Sequence, residues 1–212
     1  MKHLIIIGAR GAGRETYNLA LETKEFKNKE FDIKGFLDSK ADAFDATPGY
    51  PPILSAPETY EIQQDDVFIC ALGEPKWRKH YAEIILSKGG KFINLIDPSV
   101  ILGTNSVTGF GCIIQHGVRI SCDIKIGNFV YIQSYSVLGH DAKVGNYCHL
   151  NTFSFMGGYS ELEDMAVLQT KATLVPHRKV GEGGLVGANS VAVKNVKPWT
   201  TVMGIPAKKL DF

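Results

Sequence analysis

From Pro98 to Val193 the chain can be cut into sixes without an insertion, 96 residues in sixteen hexads. The fifth place of each is Leu102, Thr108, Ile114, Ile120, Ile126, Ile132, Leu138, Val144, Leu150, Met156, Leu162, Leu168, Leu174, Val180, Val186 and Ala192, and only Thr108 is polar. The third place is mostly small or β-branched, as in Val100, Ser106, Cys112, Val118 and Ile124. A fixed short period is the signature of a solenoid, and six is a β-helix period. Each hexad is one short strand plus a bend, and three hexads make a triangular coil of eighteen residues. Fifth-place side chains then point inward and stack on those of the next coil, about 4.8 Å away. A sandwich of hairpins would not hold such a period for this length. The fold predicted for this half is all-β.

The chain has 212 residues, and the repeat fills its second half. A separate domain of roughly ninety residues precedes it, which sets the division at 1–96 and 97–212, the latter including a C-terminal tail. The formal net charge is +1, with no Lys/Arg cluster to form a nucleic-acid groove. There is no apolar run of eighteen, so no membrane insertion is expected. Leu4–Ile7 is too short for the core of a secretion signal and runs into Gly8. Cys70, Cys112, Cys122 and Cys148 have no CxxC spacing, which argues against zinc and redox motifs. No column of hexads collects several metal ligands, so no metal is expected, and the chain reads as cytoplasmic.

The first half alternates strands and helices, the pattern of a Rossmann-like α/β domain with a parallel sheet. Strands are expected at His3–Ile7, Phe31–Leu37, Val67–Leu72 and Lys91–Ile96, with helices over Arg14–Lys24, Ala56–Gln63 and Pro75–Lys88. On the last helix Trp77, Tyr81, Ile84 and Ile85 are expected to face the core. Gly8-Ala9-Arg10-Gly11-Ala12-Gly13 joins the first strand to the first helix. Such a turn is either a packing turn or an anion site made by free N–H groups and the helix dipole. Asp38, closing the second strand, is either a solvated turn carboxylate or an acceptor for a ribose or base. Both features, with Gly73, fall at the carboxyl edge of the sheet, where such folds bind ligands.

Within the repeat, His140-Asp141-Ala142-Lys143-Val144-Gly145 stands out. His140 and Asp141 take the first two places, at a bend, where neighbouring side chains can lie on one side. A carboxylate there orients the imidazole, as a general base requires; the alternative is a solvated surface pair. Eighteen residues on is Gly158, whose amide could hold an oxyanion. His149 lies at an outward place, and Phe129, Tyr131, Tyr135, Tyr147 and Phe153 are expected outward as subunit contacts. Glu161, Glu163 and Asp164 read as an exposed rim. Pro176-His177-Arg178 puts an arginine at a normally inward place. No serine nucleophile motif is present.

The unbroken hexads, His140-Asp141 and the closing Gly204-x-Pro206-Ala207-Lys208 resemble left-handed β-helix acetyltransferases. With Gly8–Gly13, Phe36-Leu37-Asp38 and Ala71-Leu72-Gly73, the whole chain is similar to sugar acetyltransferases of the PglD/NeuD type. The resemblance implies acetyl transfer from acetyl-CoA, as co-substrate, to the 4-amino group of a nucleotide-linked 4-amino-4,6-dideoxy sugar for surface glycan synthesis, with UDP as the expected nucleotide. The alternatives are O-acetylation of a sialic acid or other sugar, and a non-catalytic nucleotide-sugar scaffold. It implies His140 as general base, Asp141 as its partner, and His149, Gly158, Thr170 and Ala188 along the acetyl-CoA. It places Arg10, Gly11 and Ala12 around the sugar nucleotide, and Asp38, Ser39 and Gly73 on its base side. It also implies a homotrimer with the site between subunits.

Overall fold

The computed structural model describes residues 1–43 and 47–210. It contains two compact units, Met1–Pro98 and Ser99–Phe212.

The first unit is built on β1 (Lys2–Ile7), α1 (Gly11–Glu22), α2 (Lys24–Lys27), β2 (Phe31–Leu37), β3 (Ile53–Ser55), β4 (Asp66–Cys70), α3 (Pro75–Ser87) and β5 (Lys91–Phe92). The sheet order is β3-β2-β1-β4-β5 and every pairing is parallel. Leu4, Ile5, Ile6 and Ile7 are at most 1 % exposed. A strand buried on both faces reads as a continuous apolar run, as this one does. The chain leaves β1 to one side through β2 and returns to its other side as β4, so the sheet has a switch point beside β1. Pro75 starts α3 at a position where its missing N–H costs nothing.

Three sequence expectations need correction in this unit, and one strand is unforeseen. The helix predicted over Ala56–Gln63 is a turn, with Thr59 and Tyr60 N–H both donating to the Ala56 carbonyl. Its backbone is held instead from outside: Lys88 Nζ donates to the carbonyls of Pro57, Glu58 and Tyr60 at 3.0, 2.6 and 3.2 Å. The chain after Pro52 adds the edge strand β3, which the loop residues before it had hidden. The strand predicted over Lys91–Ile96 is two short pieces, Lys91–Phe92 and Leu95–Ile96. On α3 the buried face is Arg78, Ala82 and Ile85: of the residues expected inward Ile85 is buried, Tyr81 and Ile84 are half-buried, and Trp77 is 46 % exposed.

The second unit is a parallel β-helix. Its two-residue strands pair with those one coil on, as Val137↔Phe155, Lys143↔Glu161 and Tyr131↔His149 do. From Ile114 to Ala192 every fifth-place side chain is buried. Leu102 is 49 % exposed because no coil lies beneath it. The last face ends in an antiparallel hairpin, Thr201–Gly204 with Ala207–Lys209.

Every second-place residue from Asn105 to Asn189 has a positive φ, and only Gly111, Gly117 and Gly183 are glycines. Non-glycine residues in this conformation carry strain of roughly 1–2 kcal/mol each. Aromatic rings one coil apart offset part of it by stacking: Phe129 on Tyr147 at 5.0 Å, Tyr135 on Phe153 at 5.2 Å, Tyr159 on His177 at 5.0 Å. Tyr135 and Phe153 are exposed as expected, but Phe129 and Tyr131 are buried within the chain. Arg178 does not point inward; it is exposed, and its Nε donates to the Val193 carbonyl.

Candidate active site

Two constellations carry chemistry, one in each unit. The first lies at the carboxyl ends of β1, β2 and β4. There Gly8, Arg10, Ala12, Leu37, Asp38, Ser39, Gly73, Trp77 and Tyr81 line a cavity of about 280 Å³. Gly8 has φ +97°, and a Cβ on Gly13 would lie 1.9 Å from the Gly8 carbonyl oxygen, so the turn closes only with glycine at both ends. At Gly11 a side chain would meet nothing within 4 Å, and this glycine faces open space beside the cavity rather than lining it. The turn leads into the N-terminus of α1, whose first amides have no partner inside the helix.

Asp38 bridges the edge. Its carboxylate accepts from Ala9 N–H at 2.8 Å and from Lys40 N–H at 3.0 Å. It therefore builds the turn as well as lining the cavity. Opposite, Arg78 is fully buried and donates to the carbonyls of Leu72 and Gly73 at 2.6 and 3.1 Å, fixing the Gly73 turn. Burial and the nearby Glu58 and Asp38 carboxylates push the Tyr81 hydroxyl above its ordinary range, against a hydrogen bond with Ser39. The phenol stays protonated and able to donate. Burial pushes the Cys70 thiol up to about 12, which rules it out as a nucleophile beneath the cavity. Trp77, Tyr81 and Arg78 are contributions that sequence reasoning missed. The helical spacing of Trp77 and Tyr81 marked one face, but aromatic character assigned that face to the core.

The second constellation is at one edge of the β-helix. His140 Nδ1 is 2.8 Å from Asp141 Oδ2. A carboxylate only accepts, so Nδ1 carries the hydrogen of this contact, and in the neutral imidazole Nε2 is then the nitrogen with the free lone pair. The side chains are 54 % and 37 % exposed, open to a substrate. Directly above, a Cβ on Gly158 would lie 2.8 Å from His140 Nε2, so the bare glycine backbone covers the imidazole. Tyr159 stands perpendicular to the His140 ring, centroids 5.2 Å apart.

Several bend amides on the other edges are capped by side chains. On one edge Phe110, Asn128 and Asn146 N–H each donate to the Asn or Asp side chain one coil on. On another, Ser134 and Thr152 N–H donate to Gln115 and Gln133. Gly158 N–H donates to nothing among the described residues. His116 provides an internal comparison: it holds the first place on its edge, Nδ1 3.0 Å from Ser99 Oγ, but the amide above it is the capped Ser134. Among the described residues of the β-helix, the His140 edge alone joins a carboxylate-held imidazole to an open amide.

The other expected residues are not gathered there. Thr170 and Ala188 are exposed first-place residues of the edge that carries His116. His149, though at an outward place, is 6 % exposed and stacked on Tyr131 at 4.9 Å. The acidic rim is tied into the fold: Glu163 pairs with Lys179, which with the Glu182 amide holds its carboxyl below the usual range, and Asp164 caps Asn146. Among the described residues no group of three or more His, Cys, Asp or Glu could hold a metal ion, and no helix is long and apolar enough to cross a membrane.

Residues 3–85 match the PglD N-terminal domain, and residues 123–158 match the bacterial transferase hexapeptide repeats. No curated protein matches the chain significantly. Among solved structures, PerB from Caulobacter crescentus, crystallised with CoA and GDP-perosamine, superposes with a TM-score of 0.87 at 23 % identity, over 100 % of this chain and 98 % of that one. The acetyltransferase domain of PglB from Neisseria gonorrhoeae, in complex with acetyl coenzyme A, gives 0.86 at 22 % over 99 % of each. WeeI from Acinetobacter baumannii gives 0.85 at 22 %, over 99 % of this chain and 100 % of that one. The chain thus joins a segment that matches the PglD N-terminal domain to a β-helix, part of which matches the bacterial transferase hexapeptide repeats.

Proposed function

We propose that the chain is an acetyl-CoA-dependent N-acetyltransferase whose acceptor is the 4-amino group of a nucleotide-linked 4-amino-4,6-dideoxy sugar. The observation that carries the reading is the His140–Asp141 pair beneath the open Gly158 amide. His140 Nε2 takes a proton from the attacking amine, and Asp141 stabilises the imidazolium. The amine nitrogen bonds to the thioester carbonyl carbon, and the Gly158 N–H holds the resulting oxyanion. The carbon–sulfur bond then breaks, and the imidazolium returns the proton to the leaving thiolate. The products are the N-acetyl sugar and CoA. No covalent enzyme intermediate is required; holding two substrates in register supplies much of the rate.

Arg10, the α1 amides and the Trp77–Tyr81 wall suit a diphosphate and a base in the first unit's cavity. Ala12, Asp38, Ser39 and Gly73 line the same cavity, and Gly11 lies beside it. The PerB complex with a GDP-linked amino sugar supports the acceptor class, and the neighbour bound to acetyl coenzyme A supports the donor. Thr170 and Ala188 sit on a different edge from His140. The reading therefore takes them, and His149, as acetyl-CoA contacts supplied by an adjoining copy in a homotrimer. The exposed Tyr135 and Phe153 favour such packing.

The test is release of free thiol from acetyl-CoA against UDP-, GDP- and dTDP-linked 4-amino sugars, run beside His140→Ala. Turnover with one of these amines, lost in His140→Ala, is expected. Absence of turnover on every amine overturns the function, whereas full activity in His140→Ala overturns only the mechanism.

A further inference from the structure

Tyr159 lies between two other rings. His177, one coil above, stacks on it at 5.0 Å and 5°. His140, at the level below, meets it at 5.2 Å and 89°. Asp141 grips the imidazole at Nδ1 alone, and a single hydrogen bond leaves rotation of the ring about that contact unopposed. Gly158 offers no side chain to stop it. Tyr159 supplies the missing wall. The phenol ring is itself set in a left-handed backbone position, φ +58°, with His177 in the same state above it. Neither ring can swing away without losing its stack.

We infer that Tyr159, backed by His177, is a positioning residue for His140, holding the imidazole plane beneath the Gly158 amide. The inference rests on the acetyl-transfer reading. It assigns no proton or bond to the phenol hydroxyl, so the ring should suffice without it.

The experiment compares Tyr159→Phe, Tyr159→Leu and His177→Ala with the wild-type full chain in the thiol-release assay. A perpendicular ring pair accounts for a rate loss of roughly three- to tenfold when it is removed. Tyr159→Leu should lose that much kcat while KM for acetyl-CoA and for the sugar stays within about twofold. Tyr159→Phe should retain wild-type kcat, and His177→Ala should fall in the same direction as Tyr159→Leu. The ring-proton resonances of His140 should move in Tyr159→Leu and not in Tyr159→Phe, a readout that does not depend on turnover. Unchanged kcat in Tyr159→Leu, a loss confined to KM, or an equal loss in Tyr159→Phe overturns the inference. Should Tyr159→Leu fail to fold, unchanged kcat in His177→Ala overturns it. Absence of turnover in the wild type would instead overturn the acetyl-transfer reading, leaving the His140 resonances to decide the ring contact.

Discussion

One methyl group at residue 158 is enough to separate stability from activity. A Cβ there would sit 2.8 Å from His140 Nε2 and 2.9 Å from Cε1, and no backbone atom is among the nearest. The imidazole is the end of a rotatable side chain and can yield. Gly158→Ala should therefore keep its melting temperature while the imidazole is pushed out from under the amide. A displacement of that order costs about 10²-fold in rate. Parallel melting and thiol-release measurements check this; a variant that loses its fold, or keeps its kcat, contradicts the geometry. The glycine of the N-terminal turn behaves differently. At Gly13 the added carbon meets the Gly8 carbonyl at 1.9 Å, and backbone cannot yield that way. The two glycines look alike in the sequence. What distinguishes them is what stands opposite, which only the fold supplies.

At the scale of elements, the segment between β3 and β4 is held by charge rather than by its own hydrogen bonds. Lys34 Nζ donates to Tyr60 Oη at 2.9 Å and to Asp66 Oδ1 at 2.7 Å, and Tyr60 donates to Asp66 Oδ2 at 2.8 Å. Asp66 is fully buried at its side chain and Lys34 is 30 % exposed. Burial alone would raise the Asp66 pKa, but the Lys34 hydrogen bond, the Gln63 amide and Tyr60 hold it below its ordinary value. Burial likewise acts to lower Lys34, and its bonds to Asp66 and Tyr60 raise it above the usual range. The depressed carboxylate contributes stability that is present above the unfolded value near ~3.9 and lost as pH falls through the folded one. The raised ammonium contributes stability present below its unfolded value near ~10.4 and lost as pH rises through the folded one. Lys34→Met should cost roughly 3 kcal/mol at neutral pH, since it leaves a buried carboxylate short of its cation. That gap from wild type should narrow in strong acid and strong base. Urea unfolding followed at several pH values tests it, and a gap independent of pH would refute it. The same tethers explain why the helix expected over Ala56–Gln63 is absent. Lys34 and Lys88 are far from it in sequence, and no local propensity announces them. The periodic elements needed no such help: β1 and α1 emerged within a few residues of their observed bounds because their own residues determine them.

For the molecule as a whole, the period of six was legible because each inward place is decided locally, by a side chain that is either apolar or not. The position of His140, Asp141 and Gly158 on one edge followed from counting alone. Their neighbours did not. That Tyr159 and His177 stack, that Asn146 caps the Asn128 amide, and that Tyr131 is buried are contacts across coils, written only in the identity of residues eighteen apart. The register of the repeat is thus a structural and a functional quantity at once, and an insertion can pull them apart. Six residues of repeat sequence placed between Gly145 and Asn146 would keep every later fifth place inward. They would also turn all later residues by one face, carrying Gly158 to the next edge and leaving another amide above His140. Stability in a solenoid is close to a sum of neighbouring contacts, so such a variant should still unfold cooperatively and retain β-structure by circular dichroism. It should have no acetyl transfer. Eighteen residues added after Pro198 of the repeat's own end would not be an equivalent control, because the coil already tightens there, with Leu185 pairing to Thr201. An eighteen-residue insertion at the Gly181–Glu182 bond is the fitting one. It lengthens the helix by a coil above these residues and leaves His140, Gly158, Tyr159 and His177 on one edge. Retained imidazole geometry, read from the His140 ring resonances, is expected in the eighteen-residue variant and lost in the six-residue one. The same resonances in both would mean that register does not set the site.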